Sequence, residues 1–99
     1  MKLITQSGHF WLEFDNGYTL SVFNGYASHT ENYNAEDKYF DFIKNKKIWE
    51  AWSSADVEIG ITKNGTLVTD KIIDCEDTVK TVDLKELIEI INLLNNLEE

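Results

Sequence analysis

The sequence contains no proline and no arginine, although it has nine lysines. Arginine is the residue best suited to bidentate contacts with phosphate, and a basic stripe is the usual mark of a nucleic-acid-binding protein. Here eighteen acidic residues outnumber the lysines and give a net charge of −9. We therefore expect no direct nucleic-acid binding, and the charge favours a basic protein partner or plain solubility.

Cysteine and long hydrophobic runs are also scarce. Cys75 is the single cysteine, which excludes a disulfide framework and a thiolate metal cage. No apolar run approaches the roughly 18 residues that a membrane span needs. Residues 1–6 are too few and too polar for a signal peptide. We therefore predict no membrane association and a cytosolic location.

The clearest feature that is present is a hairpin at 9–23, with Asn16-Gly17 as a strong turn motif between strand-like residues. A two-residue turn would divide the apolar side chains between the two faces. A three-residue loop, with Gly17 left-handed, gathers six of them on one face: Phe10, Leu12, Phe14, Tyr18, Leu20 and Val22. Because a one-residue slip flips every side chain, we predict the three-residue loop. Trp11 and Phe23 then lie on the second face, and two aromatic side chains there indicate that this face is not simply exposed to solvent.

A second hairpin is predicted at 55–73. Residues 55–62 alternate strictly, which is typical of a half-buried strand, and Asn64-Gly65 repeats the turn motif. Residues 66–69 return as the partner strand, with a register open between two- and three-residue turns. Residues 71–73 are a candidate extension of that strand, and an acidic loop follows at 74–77.

The sequence predicts a C-terminal helix at 83–97. Asp83 is a candidate N-cap, and Glu86 three residues later would complete a capping box. The apolar positions at helical spacing are Leu84, Leu87, Ile88, Ile91 and Leu94, and the stripe is widened by Ile90, Leu93 and Leu97. So wide a stripe indicates either a helix in a groove between two elements or a helix that also packs against another subunit, in a homo-oligomer.

The middle of the chain, residues 24–54, is predicted to be a loop followed by one or two helices. Residues 24–34 are polar and without period, and a long irregular stretch in a compact domain is usually functional or mobile. Residues 36–52 carry apolar side chains near helical spacing. We expect a single domain over 1–99 of the α+β class. It consists of an antiparallel β-sheet of four or more strands, this partly helical middle insertion, and the C-terminal helix packed on one face.

Three stretches resemble a family of small proteins encoded by tailed phages and prophages. They are the hairpin segment 14–22, the alternating strand 55–61, and the C-terminal helix that follows Thr81-Val82-Asp83. The resemblance covers about half of the chain and implies a phage source. It also implies an accessory or counter-defence role, since small non-structural phage proteins often have one. The family has no settled function, so the resemblance assigns no site residues.

Catalytic and metal-binding motifs are weak. His9 and His29 are the only histidines, and neither forms a recognisable motif with Ser21 or Ser28, so we expect no enzyme and no catalytic residue. The acidic residues Asp70, Asp74, Glu76 and Asp77 lack the spacing of a calcium loop. A solvated loop is the better interpretation, with no metal and no cofactor.

Candidate binding residues cluster in the middle of the chain. A nucleotide site would combine aromatic rings that stack on a base with ammonium groups that meet phosphate; the candidates are Tyr39, Lys44, Lys46, Lys47, Trp49 and Trp52. Tyr26, His29 and Tyr33 would form a pocket lid or an interface patch. An acidic surface would come from Glu31, Glu36, Asp37, Asp41 and Glu50. The plainer alternative places the aromatic residues in the core and the charges in solvent.

These observations predict a non-enzymatic phage protein in the cytoplasm of an infected bacterial host. It would counter a defence system by binding a host defence protein through an acidic, aromatic-bearing surface. One alternative is a sponge that sequesters a nucleotide immune signalling molecule in the aromatic and lysine pocket. Another is a minor virion or assembly protein.

Overall fold

The computed structural model describes residues 1–6, 8–25 and 54–98. These residues form one six-stranded antiparallel sheet and two helices. In chain order the elements are β1 (Lys2–Gln6), β2 (His9–Glu13), β3 (Tyr18–Phe23), β4 (Asp56–Lys63), β5 (Thr66–Leu67), α1 (Thr69–Ile72), β6 (Val79–Asp83) and α2 (Leu84–Asn95). The predicted α+β fold, with four or more strands and a C-terminal helix, is confirmed. Of the predicted middle insertion over 24–54, residues 26–53 lie outside the described part of the chain.

The sheet runs in the order β1-β2-β3-β4, and β4 carries both β5 and β6. β5 pairs with Thr62 and Lys63, while β6 pairs with residues 56–60 of the same strand. The two short strands therefore follow one another along the same edge of β4, because β3 occupies its other edge. β1 forms the opposite edge of the sheet within the described residues.

The first hairpin has the predicted three-residue loop. The Phe14 amide donates to the Tyr18 carbonyl at 2.8 Å, and Gly17 has a φ of +90°. The left-handed region accepts glycine far more readily than other residues. Phe10 lies opposite Val22 and Leu12 opposite Leu20, so the six apolar side chains share one face as predicted.

The second hairpin is shorter than the sequence predicted. Lys63 pairs with Thr66 across a two-residue turn, in which both Asn64 (φ 51°) and Gly65 (φ 86°) are left-handed, as in a type I′ turn. The returning strand then ends at Leu67, and the chain turns into α1. The expected extension over 71–73 is therefore wrong.

A buried threonine explains this ending. Thr69 is fully buried, and its Oγ1 accepts from the Ile61 amide at 2.8 Å and donates to the Thr78 carbonyl at 2.6 Å. The Val68 amide donates to the Ile61 carbonyl at 2.8 Å. Both backbone groups of Ile61 are satisfied in this way, as buried polar groups require, so β5 needs no further residue.

The core lies between α2 and the inner face of the central strands. Its buried side chains are Phe14, Leu20, Val22, Val57, Ile59, Ile61, Val82, Leu87, Ile90 and Leu94. As predicted, Asp83 caps α2, and its Oδ1 accepts from the Glu86 amide at 2.8 Å. The carboxylate of Glu86 binds Lys80 at 3.0 Å instead of completing the capping box. Three members of the wide apolar stripe stay exposed on the described surface: Leu84, Ile88 and Leu93.

Candidate functional site

The sequence-predicted site residues lie outside the described part of the chain. They are Tyr26, His29, Tyr33, Tyr39, Lys44, Lys46, Lys47, Trp49 and Trp52 for ligand or partner binding, and Glu31, Glu36, Asp37, Asp41 and Glu50 for the acidic surface. Their proposed roles stay predictions. The described residues show a different candidate, on the side of the sheet that faces away from α2.

This candidate, which we call the outer-face cluster, consists of His9, Trp11, Ser21 and Phe23, with Glu58 beside it. Alternate residues of a strand point to the same face, so His9 and Trp11 project together from β2, and their rings stack at 3.8 Å between centroids. Phe23 lies directly opposite His9 on β3, and these rings stack at 5.0 Å. The imidazole therefore stacks with two aromatic rings.

A hydrogen bond fixes the imidazole further. Nε2 of His9 and Oγ of Ser21 are 2.6 Å apart, and the tautomer decides which of the two donates. Partial burial lowers the pKa of His9 below its ordinary value of 6.5, while the nearby charge of Glu58 acts in the opposite direction. Because burial is the larger influence, the neutral form of the ring predominates at pH 7.

A serine beside a neutral histidine has the chemistry of a nucleophile and its general base. Acyl transfer also needs amide donors that converge on the developing oxyanion. Both residues lie within paired strands. The backbone amides there donate to carbonyls of the neighbouring strands, so they do not converge on one point where an oxyanion could form. The geometry therefore suits contact and stacking better than acyl transfer, and the absence of enzymatic activity stays a prediction.

A second surface feature surrounds the turn of the first hairpin. Two shallow depressions, of about 230 and 310 Å³, share Asp15 and Asn16 in their linings. The Asn16 side chain already donates to the carbonyl oxygens of Leu94 and Leu97 at 2.7 and 2.8 Å. Lys63 donates to the Asn16 carbonyl at 2.5 Å. These groups of Asn16 and Lys63 are engaged in holding the fold, so neither depression is built around them as a ligand site.

The acidic loop holds its shape through backbone contacts. Sγ of Cys75 lies 3.1 Å from the Asp77 carbonyl, and Nζ of Lys80 donates to the Asp74 carbonyl at 3.3 Å. Among the described residues, no three His, Cys, Asp or Glu side chains lie close enough together to hold a metal ion. The described helices include none that is long and apolar enough to cross a membrane.

Sequence reasoning placed Trp11 and Phe23 on the second face but did not include His9 in a cluster with them. The pattern that could have found it is the spacing His9-x-Trp11 combined with the predicted hairpin register. That register pairs His9 with Phe23, which puts three rings side by side.

Comparisons with known proteins add no relative to this picture. No family model matches the sequence, and neither the curated proteins nor the solved structures contain a detectable match. The resemblance to small tailed-phage proteins therefore stays a hypothesis.

Proposed function

We propose that this protein is a non-enzymatic binding protein of phage origin that counters a bacterial defence system by binding and inhibiting a host defence protein. The outer-face cluster, in a chain with a net charge of −9, is the observation that carries the proposal. It offers aromatic rings for the centre of a contact, and the acidic charge of the chain favours a basic partner.

Aromatic residues are the usual anchors of protein interfaces, because they bury a large area at little cost in rotamer entropy. Trp11 and Phe23 are only partly buried, so each ring retains surface for a partner. The stack with His9 and the hydrogen bond to Ser21 fix the rings before binding. A contact surface ordered in advance loses less entropy on association.

The charge around these rings supports a basic partner. Glu58 is close enough to raise the pKa of His9, although burial lowers it more, and Glu13 follows Trp11 at the next outward position of β2. Lysine or arginine side chains of a partner would meet both carboxylates and ring faces, which attract cations. Complementary charge also accelerates the encounter. The phage source and the host cytoplasm are carried over from the resemblance of the hairpin and strand motifs.

The direct test is phage infection of bacterial strains that each carry one defence system, with and without this protein. We expect plating efficiency to be restored in the strain whose defence protein is the target. The double variant Trp11→Ala and Phe23→Ala should lose this effect. Ile88→Ala, which removes an exposed apolar side chain from α2, is the matched control and should retain it.

Binding is then measured with the purified defence protein by calorimetry, after circular dichroism has shown that both variants are folded. If the double variant restores plating as well as the wild type does, the function does not depend on the outer-face cluster. A captured nucleotide in native mass spectrometry, sensitive to Lys46→Glu with Lys47→Glu, would instead support the sponge. No restoration in any strain would contradict an anti-defence role.

A further inference from the structure

β1 is an edge strand whose outer side is unpaired within the described residues. All five of its residues are exposed, including Leu3 at 61 % and Ile4 at 36 %. Native proteins protect such edges with charged side chains, above all lysine, with proline, with bulges or with a covering element. β1 has no proline, pairs with β2 without a bulge over its whole length, and carries one charged side chain, Lys2.

Backbone geometry decides which residues of β1 face outward. At one end of the ladder between β2 and β3, the Phe14 amide donates to the Tyr18 carbonyl at 2.8 Å. At the other end, the Asn24 amide donates to the Gly8 carbonyl at 2.9 Å. Since hydrogen-bonded pairs occur at every second residue of an antiparallel ladder, β2 bonds β3 through its even-numbered residues. Its odd-numbered residues are left to bond β1.

The register between β1 and β2 completes the assignment. Lys2, Ile4 and Gln6 lie opposite the odd-numbered residues of β2, so they form its hydrogen-bonded pairs. Leu3 and Thr5 therefore direct their amides and carbonyls away from the sheet. Neither residue has a further partner among the described residues.

From these outward amides and carbonyls we infer that the protein forms a homodimer through β1. Two copies of β1 pair antiparallel about a two-fold axis at Ile4, and we call this pairing the seam. This register places Leu3 opposite Thr5 of the second copy, and Thr5 opposite its Leu3. The outward backbone groups of both residues are then used, which gives about four hydrogen bonds across the seam. A symmetric register centred on Leu3 would pair Leu3 with its own copy, and one centred on Thr5 would pair Thr5 with its own copy. Neither would pair Leu3 with Thr5, so Ile4 is the favoured centre.

The side chains suit this register. The two copies of Ile4 face each other as a non-hydrogen-bonded pair, in which side chains approach most closely, and Trp11 lies beside Ile4 within each copy. A β-branched pair of this kind is favourable across strands. Lys2 falls opposite Gln6, so no like charges meet. An isologous contact of one surface with itself is the commonest way in which proteins dimerise.

The occupant is a second copy rather than another segment, because the outward backbone groups of Leu3 and Thr5 complement those of a second β1 and no like charges meet in this register. The acidic charge of the chain opposes association elsewhere, while this edge contributes only a lysine. A five-residue seam is small beside the roughly 1,200 Å² of a standard interface. We therefore expect a reversible dimer that strengthens with salt, as screening weakens the repulsion between two acidic protomers. This inference does not depend on the proposed function.

Sedimentation velocity of the full chain over a wide concentration range tests the seam. Wild type should shift from monomer to dimer. Thr5→Pro removes one outward amide at an edge position that tolerates proline, and it should leave a folded monomer. Ile4→Lys places like charges at the two-fold axis and is the second variant, should the proline disturb folding. Ile88→Lys, on the exposed side of α2, is the matched control and should still dimerise.

Two results would overturn the seam. One is a wild-type chain that stays monomeric up to roughly 1 mM. The other is a dimer that survives Ile4→Lys in a folded protein. Loss of the dimer in Ile88→Lys alone would assign association to α2, in agreement with the alternative suggested by its wide apolar stripe.

Discussion

The side chain of Asn16 donates a hydrogen bond of 2.7 Å to the backbone carbonyl of Leu94, 78 residues later in the chain. A second bond of 2.8 Å reaches the carbonyl of Leu97. The last carbonyls of a helix have no intrahelical partner, and here the turn of the first hairpin supplies one. The most recognisable turn in the sequence is thus also the C-terminal cap of α2.

Asn16→Asp should destabilise the fold. The carboxylate keeps the shape of the side chain, but it cannot donate and places negative charge beside carbonyls at the negative end of the helix dipole. We expect a loss of roughly 2 kcal/mol in the free energy of unfolding, measured by urea denaturation. Asn95→Asp adds the same charge at an exposed position of the same helix end, where the side chain makes no hydrogen bond among the described residues, and it should cost much less. Equal losses would show that charge alone, not the lost donors, is responsible.

Thr69→Val should be costly despite its nearly equal volume. The substitution leaves the Ile61 amide and the Thr78 carbonyl without their hydroxyl partner. Orphaned buried groups cost about 1–3 kcal/mol each, so unfolding in urea should show a loss of roughly 2–4 kcal/mol. Thr69→Ser retains the hydroxyl and should cost about 1 kcal/mol for the missing methyl group. If valine proved no worse than serine, the hydroxyl would not be what ends β5.

Asp83→Ala should lower stability by about 1 kcal/mol through loss of the N-cap. The Glu86 amide would lose its acceptor at 2.8 Å. Asp83→Asn keeps a side-chain oxygen in the same place and should cost only a few tenths of a kcal/mol. Thermal unfolding followed by circular dichroism compares the three proteins. A full loss in Asp83→Asn would mean that the negative charge, rather than the hydrogen bond, is what stabilises the helix start.

His9 should make stability depend on pH. Because burial lowers its pKa in the folded state below 6.5, the unfolded chain binds the proton more readily, and acid favours unfolding. The contribution of His9 is therefore complete above about pH 6.5 and declines as the pH falls through the lowered folded-state pKa. An NMR titration of the imidazole should give a pKa below 6.5.

His9→Gln should flatten this dependence in urea unfolding. The dependence lies below about pH 6.5, because the folded-state pKa of His9 is lowered. Ser21→Ala is the companion variant, since it removes the hydrogen bond of 2.6 Å but retains the titrating ring. A His9 pKa at or above 6.5, or an unchanged pH slope in His9→Gln, would contradict the neutral, stacked imidazole.

Local patterns explain why much of the fold could be predicted. The register of the first hairpin follows from one turn motif and the need to put Phe14 and Leu20 on the same face. The cap of α2 follows from the spacing of Asp83 and Glu86. These features depend on residues close together in the chain, whose preferences for turn, strand or helix cap agree with one another.

Features that depend on distant partners could not be predicted in this way. β6 has apolar residues on both faces, with Val82 at 3 % exposure in the core and Val79 at 39 % exposure on the other side, so it lacks a clear alternation. Its pairing with β4 becomes visible only in three dimensions. The end of β5 depends on the bonds of Thr69 across the fold, and no sequence pattern marks such a hydroxyl.

Residues 24 and 54 stand side by side at the base of the chain segment between β3 and β4. Nδ2 of Asn24 donates to Oγ of Ser54 at 3.0 Å, and Phe23 pairs with Glu58 in the sheet. Because residues 24 and 54 are in direct contact, the pairing of β3 with β4 does not itself require a long connection between the two strands. Shorter connections also cost less entropy to close. The distance between the ends of β3 and β4 therefore sets no lower limit on the length of the chain that joins them.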